Sequence, residues 1–354
     1  MKRPAAAAGI LTAVILLTGS VYHDDKNMVQ MIDAEVQTED VVEESSIDSE
    51  ITIPVEAGTR IAVVSKNVKG EFWEMVRQGM ETAVSDVNKA YGYKSGDKLT
   101  MTFEGPDDEQ NVEEQINILD AVIAENPDVV CLSVGDMESC QAQLEAAAEN
   151  GIPVVVFDSN VEDKDLVHAF RATDNILVGK MAGEKLAEAV GGTGKIAVFS
   201  AQEKTESAKR RITGFTDAIA EYEDIEIVET VYMDQVEDMQ AAMSETLEKY
   251  PDLKGVFCSN ADVADLYLGI EKDEDFSVLM VGVDATTRQQ EAIEAGEEVG
   301  VVSQNPDEMG YQTIMTALQT IAPGEDVEEV VLLEPKWIDA ASLESPSAAT
   351  YLYE

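Results

Sequence analysis

Short apolar runs alternate with amphipathic helical stretches from residue 61 to residue 338, and few architectures accept that pattern. The first unit shows it most clearly. Residues 61–64, Ile-Ala-Val-Val, are apolar and partly β-branched, long enough for a buried strand and too short for a helix. Residues 65–70 are polar and end in glycine, so they read as a loop. Apolar residues then recur at Phe72, Met75, Val76, Met80 and Ala83, the spacing of one helix face. In an open α/β sheet such a loop lies at the carboxyl end of a strand, where ligands bind. Phe72 and Trp73 open the helix beside it. Adjacent helical side chains point about 100° apart, so the pair is not expected to share one core. Two readings follow: a hydrophobic staple with a half-exposed Trp, or an aromatic wall for a bound ligand.

The alternation continues. Strands are expected at 99–103, 129–134, 153–157, 166–170, 195–199, 225–232, 255–258, 278–283, 299–303, 327–333 and 335–338. Helices are expected at 111–125, at 137–150, from a Thr173 or Asp174 cap to 190, through Arg211, Phe215 and Ile219, and at 236–250, 263–270, 289–295 and 306–321. Strands alternating with helices imply parallel sheets. More than ten strands exceed one comfortable sheet, and 354 residues suffice for two cores, so two α/β lobes are expected. Residues 340–354 read as a loose tail with some apolar content.

The N-terminal stretch is different. Residues 1–22 carry Lys2 and Arg3 and then an apolar run, as an export signal or an N-terminal anchor does. Residues 17–20, Leu-Thr-Gly-Ser, are similar to a lipoprotein cleavage box in which Ser20 replaces the cysteine that would be lipidated. Residues 23–58 are polar and acidic and read as a flexible spacer. The chain has 71 acidic and 24 basic residues, a net charge of −47. Such a surface repels phosphate backbones, which sets nucleic acid aside as a partner. Cys131, Cys140 and Cys258 show no metal-site spacing, and Cys131 and Cys258 lie in strand-like runs, as buried thiols do. With only His23 and His168 available, no His-rich metal site is expected, and no Gly-x-Ser-x-Gly elbow accompanies His168.

Residues 191–195, Gly-Gly-Thr-Gly-Lys, look like a phosphate loop but follow a helix and precede a strand, so they read as a helix stop and turn. What stands out is the polar residue at each of several strand ends: Asp158, Asn260, Asp284 and Gln304, with Lys66 after the first strand and Arg211 on the helix after 195–199. Any one of them reads as a cap or turn residue. Together with Phe72 and Trp73 they describe a cleft. Carboxylates, amides and a guanidinium offer paired planar hydrogen bonds, and aromatic faces cover apolar CH patches. That chemistry suits a small polyhydroxylated ligand.

At these residues the chain resembles the ribose/galactose type of periplasmic solute-binding protein that feeds ABC importers. The resemblance covers about 59–339. It rests on EFW at 71–73, GIPVVVFDS at 151–159, ATDN at 172–175, the Arg three residues before Gly214-Phe215, SNAD at 259–262, VGVDAT at 281–286 and SQNPDEMG at 303–310. It implies two Rossmann-like parallel-sheet lobes of the type I binding-protein fold, closing about a hinge of three crossovers near 172–174, 303–305 and 333–335. One lobe would comprise 59–172 plus 305–333, the other 173–304 plus 334–340, with 341–354 as tail. It implies a ring flanked by Phe72 and Trp73, with hydroxyls bound by Asp158, Arg211, Asn260, Asp284 and Gln304, and with Ser159 and Lys66 also in the site. The chain departs from the ribose pattern at Lys66, Gly70, Ser159 and Ala261, where serine, asparagine, arginine and aspartate are usual, so ribose is not assigned. Lys66 is expected to meet an anionic or further hydroxyl group.

The expected function is a monomeric, exported binding protein that hands a sugar to an ABC permease, without cofactor, metal or bond chemistry. A sensor that presents its closed form to a membrane receptor or kinase fits the same residues. A transcription regulator of this fold would need a basic DNA-binding segment before residue 59, which the acidic spacer does not supply. A glycosidase using Asp158 and Asp284 as acid and base is the enzymatic alternative.

Overall fold

The computed structural model describes residues 51–270 and 277–353. The signal or anchor and most of the acidic spacer, as read from sequence, lie outside the described residues.

Strand β1 (Arg60–Val64), helix α1 (Glu71–Tyr91), β2 (Thr100–Glu104), α2 (Val112–Ala124), β3 (Val129–Leu132), α3 (Gln141–Glu149), β4 (Val154–Phe157) and β5 (Ala169–Thr173) build the first half. The second half runs α4 (Asn175–Ala189), β6 (Gly194–Ser200), α5 (Glu206–Ile219), β7 (Ile225–Tyr232), α6 (Met239–Lys249), β8 (Leu253–Cys258), α7 (Ala261–Leu268), β9 (Leu279–Val283), α8 (Thr287–Ala295) and β10 (Gly300–Ser303). Helix α9 (Pro306–Ile321) and β11 (Val330–Leu333) return to the first half, and β12 (Lys336–Ile338) to the second.

Two six-stranded sheets result, ordered β11-β5-β4-β3-β1-β2 and β12-β10-β9-β8-β6-β7. The central strands are buried end to end, as the apolar runs require for sheets covered by helices on both faces. All pairings are parallel except β10 with β12, which is antiparallel. The reason is local. Strand β11 ends at the carboxyl end of the first sheet, and Lys336 pairs with Ser303 at the carboxyl end of the second. The chain therefore enters the second sheet from the cleft side and runs against β10. The chain also passes between the halves after Thr173 and after Ser303, again at carboxyl ends of strands.

In each half two helices cross almost backbone to backbone. A Cβ on Gly79 of α1 would lie 1.9 Å from Asp307 O of α9, and one on Gly310 would lie 2.1 Å from Val76 O. In the other half, Gly179 of α4 faces Arg211 O at 1.9 Å, and Gly214 of α5 faces Ile176 O at 2.1 Å. Only glycine permits these crossings. The second crossing sets the position of α5, and with it Arg211.

Three readings need correction. Residues 51–58 are not spacer throughout: Ile53 and Val55 are buried in the core under α1, and their carbonyls accept bonds from the Tyr91 and Tyr93 hydroxyls. The apolar residues alternating through Ile51, Ile53 and Val55 anchor this stretch. Residues 340–353 are not loose either, since Leu343 and Ala348 are buried against the second half and Tyr353 is buried in the core around α1. The expected strand at 166–170 is displaced to Ala169–Thr173, because Lys164–Leu166 forms a 3-10 turn.

Candidate functional site

One cavity of about 200 Å³ lies where the carboxyl ends of the two sheets meet. Lys66, Phe72, Trp73, Asp158, Arg211, Asn260, Asp284 and Gln304 all line it. Asp158 follows β4 and Asp284 follows β9, the third strand in each sheet order. Both aspartates hold a left-handed backbone, at φ 58° and φ 80°. Such a conformation is strained for a residue with a Cβ, at a cost on the order of 1–3 kcal/mol, and it collects at ligand sites.

The first half contributes a charged cluster. Lys66 Nζ lies 2.9 Å from Asp158 Oδ2 and 3.7 Å from Glu109 Oε2. The Ser133 hydroxyl donates to the same Asp158 oxygen at 3.1 Å. Burial pulls the Lys66 ammonium down, but Asp158 and Glu109 outweigh it, and its pKa ends above the ordinary lysine value. Glu109 is pushed up to about 7 by burial, with Lys66 opposing and Asp262 and Asp158 adding to the rise. A single ammonium serves two carboxylates, and the nearer one takes most of it.

The second half supplies a guanidinium, amides and the carboxylates of Asp262 and Asp284. Arg211 Nε donates to Asn175 Oδ1 at 2.7 Å and Nη1 to Ser259 O at 2.8 Å. These two bonds fix the plane of the guanidinium, and Nη2 has no hydrogen bond among the described residues. Asn260 caps α7, its Oδ1 accepting from Val263 N at 3.1 Å. Its Nδ2 is left for the cavity and for Glu109 Oε1, 3.4 Å away in the opposite half. Asp284 accepts from Gln304 Nε2 at 2.7 Å, from Ala261 N at 2.8 Å and from the Tyr353 hydroxyl at 3.0 Å. Gln304 Oε1 is buried without a partner among the described residues.

Phe72 and Trp73 are both buried and both belong to the core around α1. The expectation of a half-exposed Trp fails because the start of α1 is covered on two sides. Phe72 meets Tyr353 at 6.1 Å, Trp73 meets Phe157 at 6.4 Å, and the two rings pack edge to face at 5.0 Å. They wall the cavity and pack the core at once. Lys66 Nζ sits 5.8 Å from the Trp73 ring centroid.

Ser159 stands apart from the other expected residues. It does not line the cavity, and its hydroxyl accepts from Glu206 N at 3.1 Å, tying the two halves together. Sequence reasoning passed over Glu109, Asp262 and Ser207, which do line it. Asp262 lay inside the quoted SNAD motif, and Glu109 occupies the polar turn after β2, another strand end facing the cleft. Among the described residues no group of three or more His, Cys, Asp or Glu side chains is arranged to hold a metal ion.

Comparison with known proteins agrees with this architecture. Residues 61–326 match the family described as periplasmic binding protein domain. The ribose import binding protein of Escherichia coli is 23% identical over 270 residues, 76% of this chain and 86% of that protein. The D-allose-binding periplasmic protein of the same organism is 24% identical over 292 residues, covering 78% and 88%. An ABC transporter solute-binding protein from Agrobacterium vitis, solved with bound D-fucose, is 27% identical with a TM-score of 0.74, over 83% of this chain and 100% of that one.

Proposed function

This chain belongs to the periplasmic binding protein family, and from that premise we propose that it captures a monosaccharide between its two sheets and delivers it to an ABC permease. The observation that carries the reading is the cavity itself. Both halves contribute to it, through Lys66 and Asp158 on one side and Arg211, Asn260, Asp284 and Gln304 on the other, with Phe72 and Trp73 as an apolar wall. A ring with hydroxyls on its edge and CH groups on its face matches that lining. The relatives named above bind ribose, allose and fucose, which supports the class without naming the sugar.

The work is capture by closure rather than bond chemistry. Polar bridges between the halves include Glu206 N to Ser159 Oγ, Asn260 to Glu109, Lys66 Nζ to Ser207 Oγ at 3.5 Å, Met137 N to Lys204 O at 3.1 Å, the Lys204–Asp136 ion pair at 3.7 Å, and Thr287 N to Glu71 Oε2 at 2.8 Å. A ligand bonded from both sides adds to these and favours the closed arrangement. The two aspartates are held by fixed donors, Asp158 by Lys66 and Ser133 and Asp284 by its three, so they are built to accept hydrogen bonds from hydroxyls. Export of the chain and docking of its closed form on a permease complete the reading.

A thermal-shift screen of the full chain tests it, with D-ribose, D-allose, D-fucose, D-arabinose and D-tagatose as probes. A sugar at 100 times its dissociation constant stabilises the fold by about 2.7 kcal/mol, a clear rise in melting temperature. A folded protein that responds to none of these, nor to other pentoses, hexoses, inositols and sugar acids, contradicts the reading. Hydrolysis of aryl glycosides is expected to be absent, and activity lost in Asp158→Asn would reverse the assignment as a binding protein.

A further inference from the structure

Segment 340–353 returns from β12 across the second sheet and is fastened at several points. Asp339 organises its start, its carboxylate accepting from Ser342 N and Oγ and from Trp337 Nε1. Leu343 and Ala348 pack with Ile338, Val301, Ala285 and Ile293. The far end is pinned beside the cavity residues. Tyr353 N donates to Ala285 O at 3.0 Å, Gln290 Nε2 donates to Tyr353 O at 2.9 Å, and the Ser303 hydroxyl donates to Tyr351 O. Ala285 follows Asp284 in the chain, and Ser303 precedes Gln304.

Tyr353 is 1% exposed and does not line the cavity. Its hydroxyl donates to Asp284 Oδ1 at 3.0 Å, and its ring lies 6.1 Å from that of Phe72, which belongs to the opposite half. Asp284 Oδ1 thus takes two donors, Tyr353 and Gln304, whereas Oδ2 takes one, Ala261 N. The carboxylate cannot turn without breaking bonds on both oxygens, and the less occupied oxygen keeps acceptor capacity for a ligand. Burial, and then the Asp284 charge, hold the Tyr353 phenol well above its ordinary pKa, so it remains a donor throughout the neutral range.

We infer that segment 340–353 is a working part of the ligand site, in which Tyr353 is a positioning residue: it fixes the Asp284 carboxylate from behind the cavity and braces Phe72 from the other half. The inference rests on the reading of the cavity as a sugar site. It makes affinity depend on a side chain that never touches the sugar.

The test is a double-mutant cycle of Tyr353→Phe and Asp284→Asn in the full chain, read by calorimetric titration with the sugar that wild type binds best among D-ribose, D-allose, D-fucose and D-tagatose. Melting temperatures without sugar are measured in parallel. Tyr353→Phe keeps the ring and its packing and removes the hydroxyl, with its bond to Asp284 and its contact with the Ser303 side chain. It is expected to weaken binding about tenfold while lowering the melting temperature by a few degrees at most. In the Asp284→Asn background the same change is expected to cost less than about twofold, because Tyr353 acts through that carboxylate. Wild-type affinity in Tyr353→Phe, or losses that simply multiply in the double variant, would overturn the inference and leave the sugar reading intact. A wild-type protein that binds none of the sugars would overturn both.

Discussion

Asp158 and Asp284 carry the argument at the residue scale. Each follows a buried strand in a left-handed conformation and is held there by donors that leave acceptor capacity on the carboxylate, which the proposed sugar would use. Arg211 is the third fixed group. Replacing it with alanine removes two bonds and leaves Asn175 Oδ1 and Ser259 O without their donors, a cost of about 1–3 kcal/mol in stability. Arg211→Ala should therefore melt somewhat lower than wild type, remain folded, and show no further rise with sugar. Glu109 makes a prediction in pH. Its folded pKa of about 7 stands above an ordinary 4.5, so the native chain holds this proton more tightly than the unfolded chain. The stability it contributes is complete below about pH 4.5 and is lost as pH rises to about 7. Denaturant titrations of Glu109→Gln should accordingly lack a loss on the order of 1–3 kcal/mol that wild type shows across that window; parallel curves for the two proteins would contradict the assignment. Lys66, Asp158, Asn260, Asp284 and Gln304 were legible in sequence because a strand pattern locates strand ends, and strand ends locate the cleft. Ser159, expected in the site, stands one residue beyond Asp158 and is drawn into a bond with Glu206 across the halves rather than lining the cavity. Glu109 and Tyr353 lie in a turn and in an irregular segment, whose positions no periodicity dictates.

At the scale of elements, the glycine crossings place the site. Helix α5 can present Arg211 only because Gly179 lets its backbone approach α4, with a hypothetical Cβ 1.9 Å from Arg211 O. Gly179→Ala should separate the two helices, cost about 1–3 kcal/mol or more, and weaken sugar binding as well. The same change at Gly79, against α9 in the other half, should cost stability and shift Arg211 not at all. Equal effects on binding from both substitutions, at equal loss of stability, would contradict this division. The helices and most strands were legible because their apolar periods are long and uninterrupted; α9 at Pro306–Ile321 and β7 at Ile225–Tyr232 fall where the pattern puts them. Packing partners were not legible. The start of α1 shows why: adjacent Phe72 and Trp73 are both buried only because Phe157 and Tyr353, distant in sequence, cover two sides of the helix.

For the whole molecule, three passages between the sheets and a short series of bridges set the expected motion. Because each passage occurs at the carboxyl end of a strand, the proposed closure would rotate the halves about these segments and leave both sheets undisturbed. Sugar should shift the population toward the closed form, seen as a smaller radius of gyration in solution scattering, and Ser159→Ala should weaken binding less than Arg211→Ala because Ser159 bridges the halves rather than lining the cavity. That two lobes exist was legible from the number of alternating strands. The reversal of β12 was not, because it follows from which sheet edge the chain enters. The central claim is that one monosaccharide binds in this cavity, and calorimetric titration of wild type and Arg211→Ala tests it most directly. The account predicts one sugar bound per chain in wild type and no measurable heat of binding in the variant. Equal binding by the two proteins, or no binding of any monosaccharide by a folded wild type, would contradict it.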